Sequence, residues 1–280
     1  MIVVPNISIL ILTLNEEQNL PCCLESVKWS DDVVVFDSFS ADRTVEIARA
    51  AGARVVQRRF DNYAGQRNAS LKEVQFKHPW VFVLDADERI PQELKEELER
   101  TVSSASRDWT LYRVRRKDMF FGRWLRRSSG YPTWFPRLLR PDRVWVEREI
   151  NEEYHTDGQI GMLREHFIHH PFNKGVALWF DRHNRYSTME AEALIRETRE
   201  RMRWFGVLSS DPVVRRRNLK QLAFRLPYRP LLVFIYLYFV RFGFLDGMPG
   251  FHFCRLRMTY EYMIDLKVKE LRRRGNGLQV

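Results

Sequence analysis

Residues 81–89, VFVLDADER, place Asp85, Ala86 and Asp87 at the end of a hydrophobic run. Side chains alternate across a strand, so positions i and i+2 share one side and two carboxylates project together from its carboxyl end. Such a pair suits a hard cation. Mg²⁺ or Mn²⁺ takes one or two protein carboxylates and completes its shell with water and substrate phosphates, acting as a Lewis acid for a diphosphate leaving group. Asp-x-Asp also occurs in surface turns, and what gives it weight here is its place after the fourth of a series of strand-like runs.

Two more acids stand at equivalent places. Glu16 follows the first apolar run in TLNEE, and Asp37 closes VVVFD before SFSADRT. A carboxylate can accept a hydrogen bond from the N3–H of uracil, which cytosine lacks, so Asp37 would favour a uridine nucleotide. Both acids can also cap the helices that follow, where negative charge is favoured, and the two roles are compatible. Positive charge for a phosphate comes from Arg67 in NYAGQRNAS, just after Gly65. Free N–H groups and the positive dipole end at a helix start already favour anions there; an ordinary surface arginine is the alternative.

The elements that must hold these groups alternate. Apolar, β-branched or aromatic runs at 7–12, 33–36, 53–56 and 80–84 read as buried parallel strands, with helical stretches at 17–26, 42–51 and 65–77 between them. That βαβαβαβ pattern predicts a doubly wound α/β sheet, whose ligands lie beyond the carboxyl ends of the strands. After a further helical stretch at 91–103, strand-like pieces at 110–114, 137–139 and 144–146 are broken by Gly and Pro and suggest an added subdomain. Helix returns from about residue 173, and Leu256, Tyr260, Met263, Ile264 and Leu271 mark one apolar face. The expected organisation is a catalytic domain over 1–172, with a nucleotide-binding part (1–103) and an acceptor-side part (104–172). A helical region covers 173–280.

With 280 residues, 45% hydrophobic and 29% charged, the composition is that of an ordinary globular chain. Three cysteines, two of them adjacent (Cys22, Cys23), build neither a disulfide scaffold nor a zinc site, and a reduced cytosolic compartment follows. The apolar start, MIVVPNISILILTLNEE, has no basic n-region or cleavage site and reads as a strand rather than a signal peptide. Net charge is +10. From Val213 onward there are fourteen Lys or Arg against four Asp or Glu, so the basicity belongs to the tail. That tail contains LLVFIYLYFV (231–240), about half the ~20 residues a spanning helix needs. An interfacial contact with an anionic membrane is the expectation, and a buried helix with a solvated basic rim is the alternative.

The segments ILTLNEEQNL, VVVFDSFSADRTVEIA, AGQRNAS and VLDADE together resemble the family 2 inverting glycosyltransferases of GT-A fold, most closely the lipopolysaccharide-core glucosyltransferase branch. HNRYSTMEAE and RFGFLDGMPGFHF continue the resemblance more weakly. It implies a UDP-sugar donor, a glycan or glycolipid acceptor of the cell envelope, a divalent metal and a place on the inner face of the cytoplasmic membrane. Glu16 and Asp37 would lie around the nucleoside, and Thr13 and Asn15 would also bind the nucleotide-sugar. Asp85 and Ala86 would lie near ribose or diphosphate beside Arg67, and Asp87 would hold the metal. The branch usually carries a His-Glu pair where this chain reads Asn151, Glu152, Glu153 in INEEYHTDG. Inversion needs a base to take the acceptor's proton. Glu152 is the candidate, with Glu149, Glu153 and His155 as neighbours that could replace it.

Other features carry less. His166, His169 and His170 in REHFIHH resemble a metal cluster, but sit in an apparent strand among apolar residues and are expected to pack or to contact acceptor. Trp124, Tyr131, Trp134 and Phe135 suit either sugar stacking or the core. A nucleotidyltransferase would show a glycine-rich basic loop after the first strand, and TLNEEQNL has none. A nucleic-acid binder would not cluster acids at the candidate groove. A homo-oligomer through the C-terminal helices stays open, as does a glycan-binding protein without catalysis, which UDP release would exclude.

Overall fold

The computed structural model describes residues 6–147, 153–198 and 228–279. The chain divides into two compact units, one of Met1–Met119 with Tyr131–Lys174, the other of Phe120–Gly130 with Gly175–Val280. The expected boundary at 172/173 therefore lies two residues early, and a stretch assigned from sequence to the acceptor side belongs with the helical unit.

The first unit begins with four parallel strands, β1 (Ile7–Thr13), β2 (Val33–Asp37), β3 (Arg54–Gln57) and β4 (Trp80–Asp85). Helices α1 (Leu20–Val27), α2 (Thr44–Ala50) and α3 (Tyr63–Glu73) connect them. Ile7, Ile9, Leu10, Ile11, Val34, Phe36 and Phe82 are fully buried. Continuous apolar strands like these are what a parallel sheet covered on both faces demands. β5 (Glu88–Arg89), α4 (Gln92–Ser104) and β6 (Trp109–Phe120) follow, then β8 (Thr133–Leu139), β9 (Val144–Glu147), β10 (Glu153–Thr156) and β11 (Gln159–His169); β7 (Arg123–Trp124) falls in the second unit. The sheet runs β3-β2-β1-β4-β8-β6-β11-β5. β8 lies antiparallel to β4 and β6, making the sheet mixed.

The chain reverses direction across the sheet between β1 and β4, which places the ligand crevice at their carboxyl ends. Thr13 stands level with Asp37, and Leu12 with Asp85. Strand pairing alone therefore lines up the sequence-selected groups along one edge.

The second unit contains α5 (Gly175–Thr198), α6 (Arg229–Ile235), a π-helical turn at Tyr236–Val240, a 3₁₀ turn at Gly243–Asp246 and the long α7 (Gly247–Gly275). Lys267 on α7 donates to the Asn184 carbonyl and side chain and to Ser187 (2.8 Å) and Thr188 (2.8 Å) on α5. Arg229 pairs with Glu261 and, at 3.0 Å, with Asp265, so a buried ion network fastens α6 to α7.

Candidate functional site

The loop after β1 and the loop after β2 are tied together by side chains. Asn15, in the left-handed backbone region at φ 55°, takes Ala41 N–H on its side-chain oxygen (2.8 Å), and its own N–H donates to Ser40 Oγ (2.8 Å). Asp37 is fully buried. Its carboxylate accepts from Thr13 Oγ1 (2.9 Å), Ser40 Oγ, Ser40 N–H (2.9 Å) and Gln57 Nε2 (3.0 Å). Four donors saturate it. Direct reading of a uracil N3–H through Asp37 thus requires Ser40 or Gln57 to yield its place, and exposed Gln57 on the edge strand is the cheaper one to move.

Glu16 is buried too, accepting from Asn19 Nδ2 (2.8 Å) and Lys174 Nζ (2.6 Å). Lys174 also donates to the Asn15 carbonyl (2.7 Å), and Asn173 Nδ2 donates to Asn19 Oδ1 (3.0 Å). The segment after β11 therefore latches the β1 loop. Nothing in the spacing pointed to Asn173 or Lys174, since the contact closes across more than 150 residues.

α3 is capped by Asn62, whose Oδ1 accepts Gly65 N–H at 2.7 Å. A Cβ at Gly65 would stand 2.7 Å from the Asp61 carboxylate, so only glycine admits the Arg58–Asp61 pair over the helix start. Arg67, expected to face phosphate, is buried and turned onto Asp85, with Nη2 3.1 Å from Oδ1. Arg137 of β8 contacts the other Asp85 oxygen at 3.1 Å and Glu88 at 2.6 Å. Glu88 in turn accepts Asp85 N–H (3.0 Å). Burial opposes ionisation of Asp85, but Arg67 and Arg137 outweigh it and hold the carboxyl well below its usual range. Burial pushes the Glu88 carboxyl up despite Arg137. Glu88 and Arg137 were missed from sequence; Glu88 lies within the DADE motif itself, whereas Arg137 gave no local signal.

Asp87 lies past the end of β4, in the turn before β5, so the strand alternation expected to align it with Asp85 does not reach it and it has different neighbours. Its Oδ2 lies 3.5 Å from His169 Nε2, and its carbonyl accepts His170 N–H at 2.9 Å. His169 Nδ1 faces Asp118 Oδ1 at 2.7 Å, and Arg116 stands 2.9 Å from the same carboxylate. His169 had been expected to pack or meet acceptor; the fold sets it instead between Asp87 and Asp118. Burial disfavours its charge, yet Asp87 and Asp118 overcome this and raise its pKa to about 9. Among the described residues no three His, Cys, Asp or Glu are arranged to hold a metal. Asp87 and, once it has shed its proton, the Nε2 of His169 are nevertheless a fitting oxygen and nitrogen pair. A carboxylate on Nδ1 is the outer partner that orients a metal-ligating histidine.

A stability consequence follows for protein kept in chelator. A cationic His169 stabilises the fold fully below the unfolded value of 6.5, and that contribution is lost as pH rises through about 9. Chemical denaturation across this window should show wild type weakening more steeply than His169→Gln. Parallel curves would refute the ion triad.

Glu152 and Glu149 lie outside the described residues. Glu153 and His155 are on β10, where His155 Nε2 is 3.4 Å from Glu147 and its ring stacks on Trp145. Of the aromatics, Tyr131 and Trp134 both face the Arg115 guanidinium, at 5.9 and 5.7 Å, and Phe135 faces Arg116 at 4.3 Å. Trp124 belongs to the second unit.

The profile of the family described as Glycosyl transferase family 2 matches residues 8–170. An uncharacterised glycosyltransferase of Rickettsia prowazekii is 27% identical over 88% of this chain and 80% of its own. The lipopolysaccharide core biosynthesis glycosyltransferase LpsC of Rhizobium meliloti is 28% identical, covering 74% of this chain and 78% of that one. Among solved structures, glucosyl-3-phosphoglycerate synthase from Mycobacterium tuberculosis in complex with Mg²⁺ and UDP is 22% identical, over 49% of this chain and 57% of that one, at a TM-score of 0.36.

Proposed function

The chain belongs to glycosyl transferase family 2 and is a glycosyltransferase, and from that premise we propose that it transfers a hexose, glucose by resemblance, from a UDP-sugar to a hydroxyl of a cell-envelope glycan or glycolipid, with inversion. The observation that carries the reading is the row of Thr13, Asp37 and Asp85 at the carboxyl ends of β1, β2 and β4, with Asp87 in the turn that follows β4. The relative named for lipopolysaccharide core biosynthesis supports the acceptor class.

Each residue has a part in this reading. Asn15, Ser40 and Asp37 fix the nucleoside-side loops, and Phe39, exposed with its backbone at φ 60°, offers a ring face beside them. Arg67 and Arg137 keep Asp85 ionised and oriented, leaving the ribose and diphosphate to meet the strand end with Ala86. Asp87 and His169 Nε2 would hold a divalent cation. When bound, Mg²⁺ or Mn²⁺ neutralises the charge that develops on the UDP leaving group. Glu152 takes the proton from the acceptor hydroxyl as that oxygen attacks the anomeric carbon from the face opposite UDP.

The test is a screen of UDP-sugars, with CDP and UDP as competitors, read by thermal stabilisation and UDP release in Mn²⁺. UDP-glucose should stabilise and turn over, and an α-linked donor should give a β-linked product. Glu152→Gln should lose about a hundredfold or more in turnover with donor affinity unchanged. Retention of the α-linkage, or equal preference for CDP, would overturn the proposal.

A further inference from the structure

The second unit exposes a dense set of large apolar side chains around the bend between α6 and α7. Phe239, Val240, Phe242, Phe244, Leu245 and Met248 are each 43% to 62% exposed. Between Pro230 and Pro249 the charged residues are Arg241 and Asp246 alone. Asp246 is buried and turned inward, accepting Arg127 N–H (2.9 Å), Ser128 N–H (2.8 Å) and Ser128 Oγ–H (2.7 Å). The tip therefore presents no acid.

The bend is built and fixed before anything covers it. A Cβ at Gly243 would meet the Leu237 carbonyl at 2.5 Å, and one at Gly250 would meet the Gly243 carbonyl at 2.4 Å. Backbone packs on backbone there, which fixes the bend. Asp246 also draws the 120–130 segment to the base of the bend, where Arg123, Arg126 and Arg127 are exposed and Arg123 Nη2 donates to the Leu245 carbonyl at 3.0 Å. An apolar tip thus sits above an arginine collar supplied by a distant stretch of chain.

The two limbs bend by 72°, and among the described residues no single helix is long and apolar enough to cross a membrane. The first limb, Arg229–Val240, reaches about 18 Å at 1.5 Å per residue, short of a ~30 Å hydrocarbon core. We propose that residues 236–248 form an interfacial wedge, its apolar tip seated at the headgroup–acyl boundary of an anionic bilayer and Arg123, Arg126 and Arg127 on the lipid phosphates. A second copy is the poorer occupant, because tip-to-tip contact brings two arginine collars to one rim. The wedge stands apart from the glycosyl-transfer reading, and its test reads lipid contact. The basic stretch 213–227, expected from sequence to help recruit the membrane, lies outside the described residues.

The experiment uses the full chain with Cys22→Ser, which removes the exposed thiol and leaves Cys23 and Cys254 buried, and an NBD fluorophore on Phe242→Cys or Leu245→Cys. Vesicles of phosphatidylcholine with phosphatidylglycerol should shift the emission to the blue at low salt, with a weaker response to phosphatidylcholine alone. Arg123→Gln, Arg126→Gln and Arg127→Gln should each lower partitioning roughly fivefold. Phe239→Ser, Phe242→Ser and Leu245→Ser together should lower it about tenfold or more with near-UV circular dichroism unchanged. An unchanged NBD spectrum with anionic vesicles would overturn the wedge. So would a blue shift without lipid that follows protein concentration, which would assign the tip to a second copy.

Discussion

Asp87→Ala is expected to lower glycosyl transfer by about four orders of magnitude and to abolish its dependence on Mg²⁺ or Mn²⁺, the several kcal/mol that charge neutralisation of a diphosphate leaving group supplies. The fold should survive. Asp87 is the edge acid whose charged neighbour, His169, has a second carboxylate in Asp118 at 2.7 Å, so the imidazole keeps a partner when Asp87 is gone. Asp85 is a poor comparison, because its removal also takes an acidic partner from two buried arginines. The measurement is turnover of a UDP-sugar against Mn²⁺ concentration, with melting temperature recorded alongside. Wild-type rates from Asp87→Ala in chelator would remove the metal from this site.

Arg137→Met should cost about 3–5 kcal/mol of stability, the loss when one partner of a buried ion pair is deleted. Arg137 is 4% exposed and Glu88 1%, so the charge left behind has no water to turn to. Without the guanidinium, burial would drive the Glu88 carboxyl further above its ordinary range, in the direction it already takes. A group whose folded pKa is raised favours the fold at low pH and opposes it as pH rises. The deficit should therefore be largest near neutrality and shrink towards the ordinary carboxylate range. Urea denaturation at about pH 5 and about pH 8 checks this, and Glu88→Gln added to Arg137→Met should restore part of the loss. An equal deficit at both pH values would mean that Arg137 acts through packing on Phe135 and Phe167, at 5.7 and 5.1 Å, rather than through charge.

The strand series was legible because a parallel sheet buried on both faces needs unbroken apolar runs, and 7–12, 33–36 and 80–84 supply them. Boundaries were less so. Helix α3 ends at Glu73 rather than at 77, since Val74 already has extended backbone. β6 runs twelve residues through RVRRKDM, where a five-residue piece was expected; arginines stacked on aromatic rings of β8 allow charged side chains on an inner strand. The Gly and Pro breaks at 120–132 mark a passage between two units, a fact of contact rather than of composition.

At the site, the residues themselves determined which groups would gather. Once four parallel strands form, the last side chains of β1, β2 and β4 must lie along one edge, and these are Thr13, Asp37 and Asp85 of TLNEE, VVVFD and LDADE. Only the tertiary structure decided what each acid has left to offer. Arg67 and Arg137 pair with Asp85, Arg137 also pairs with Glu88, Lys174 pairs with Glu16, and Thr13, Ser40 and Gln57 saturate Asp37, while Asp87 meets a histidine that the sequence alone placed in a packed strand. Spacing along a strand is a local property and can be read from a string of residues. The charge a buried carboxylate carries depends on lost water and on partners brought from dozens of residues away, and these exist only once the chain has closed on itself.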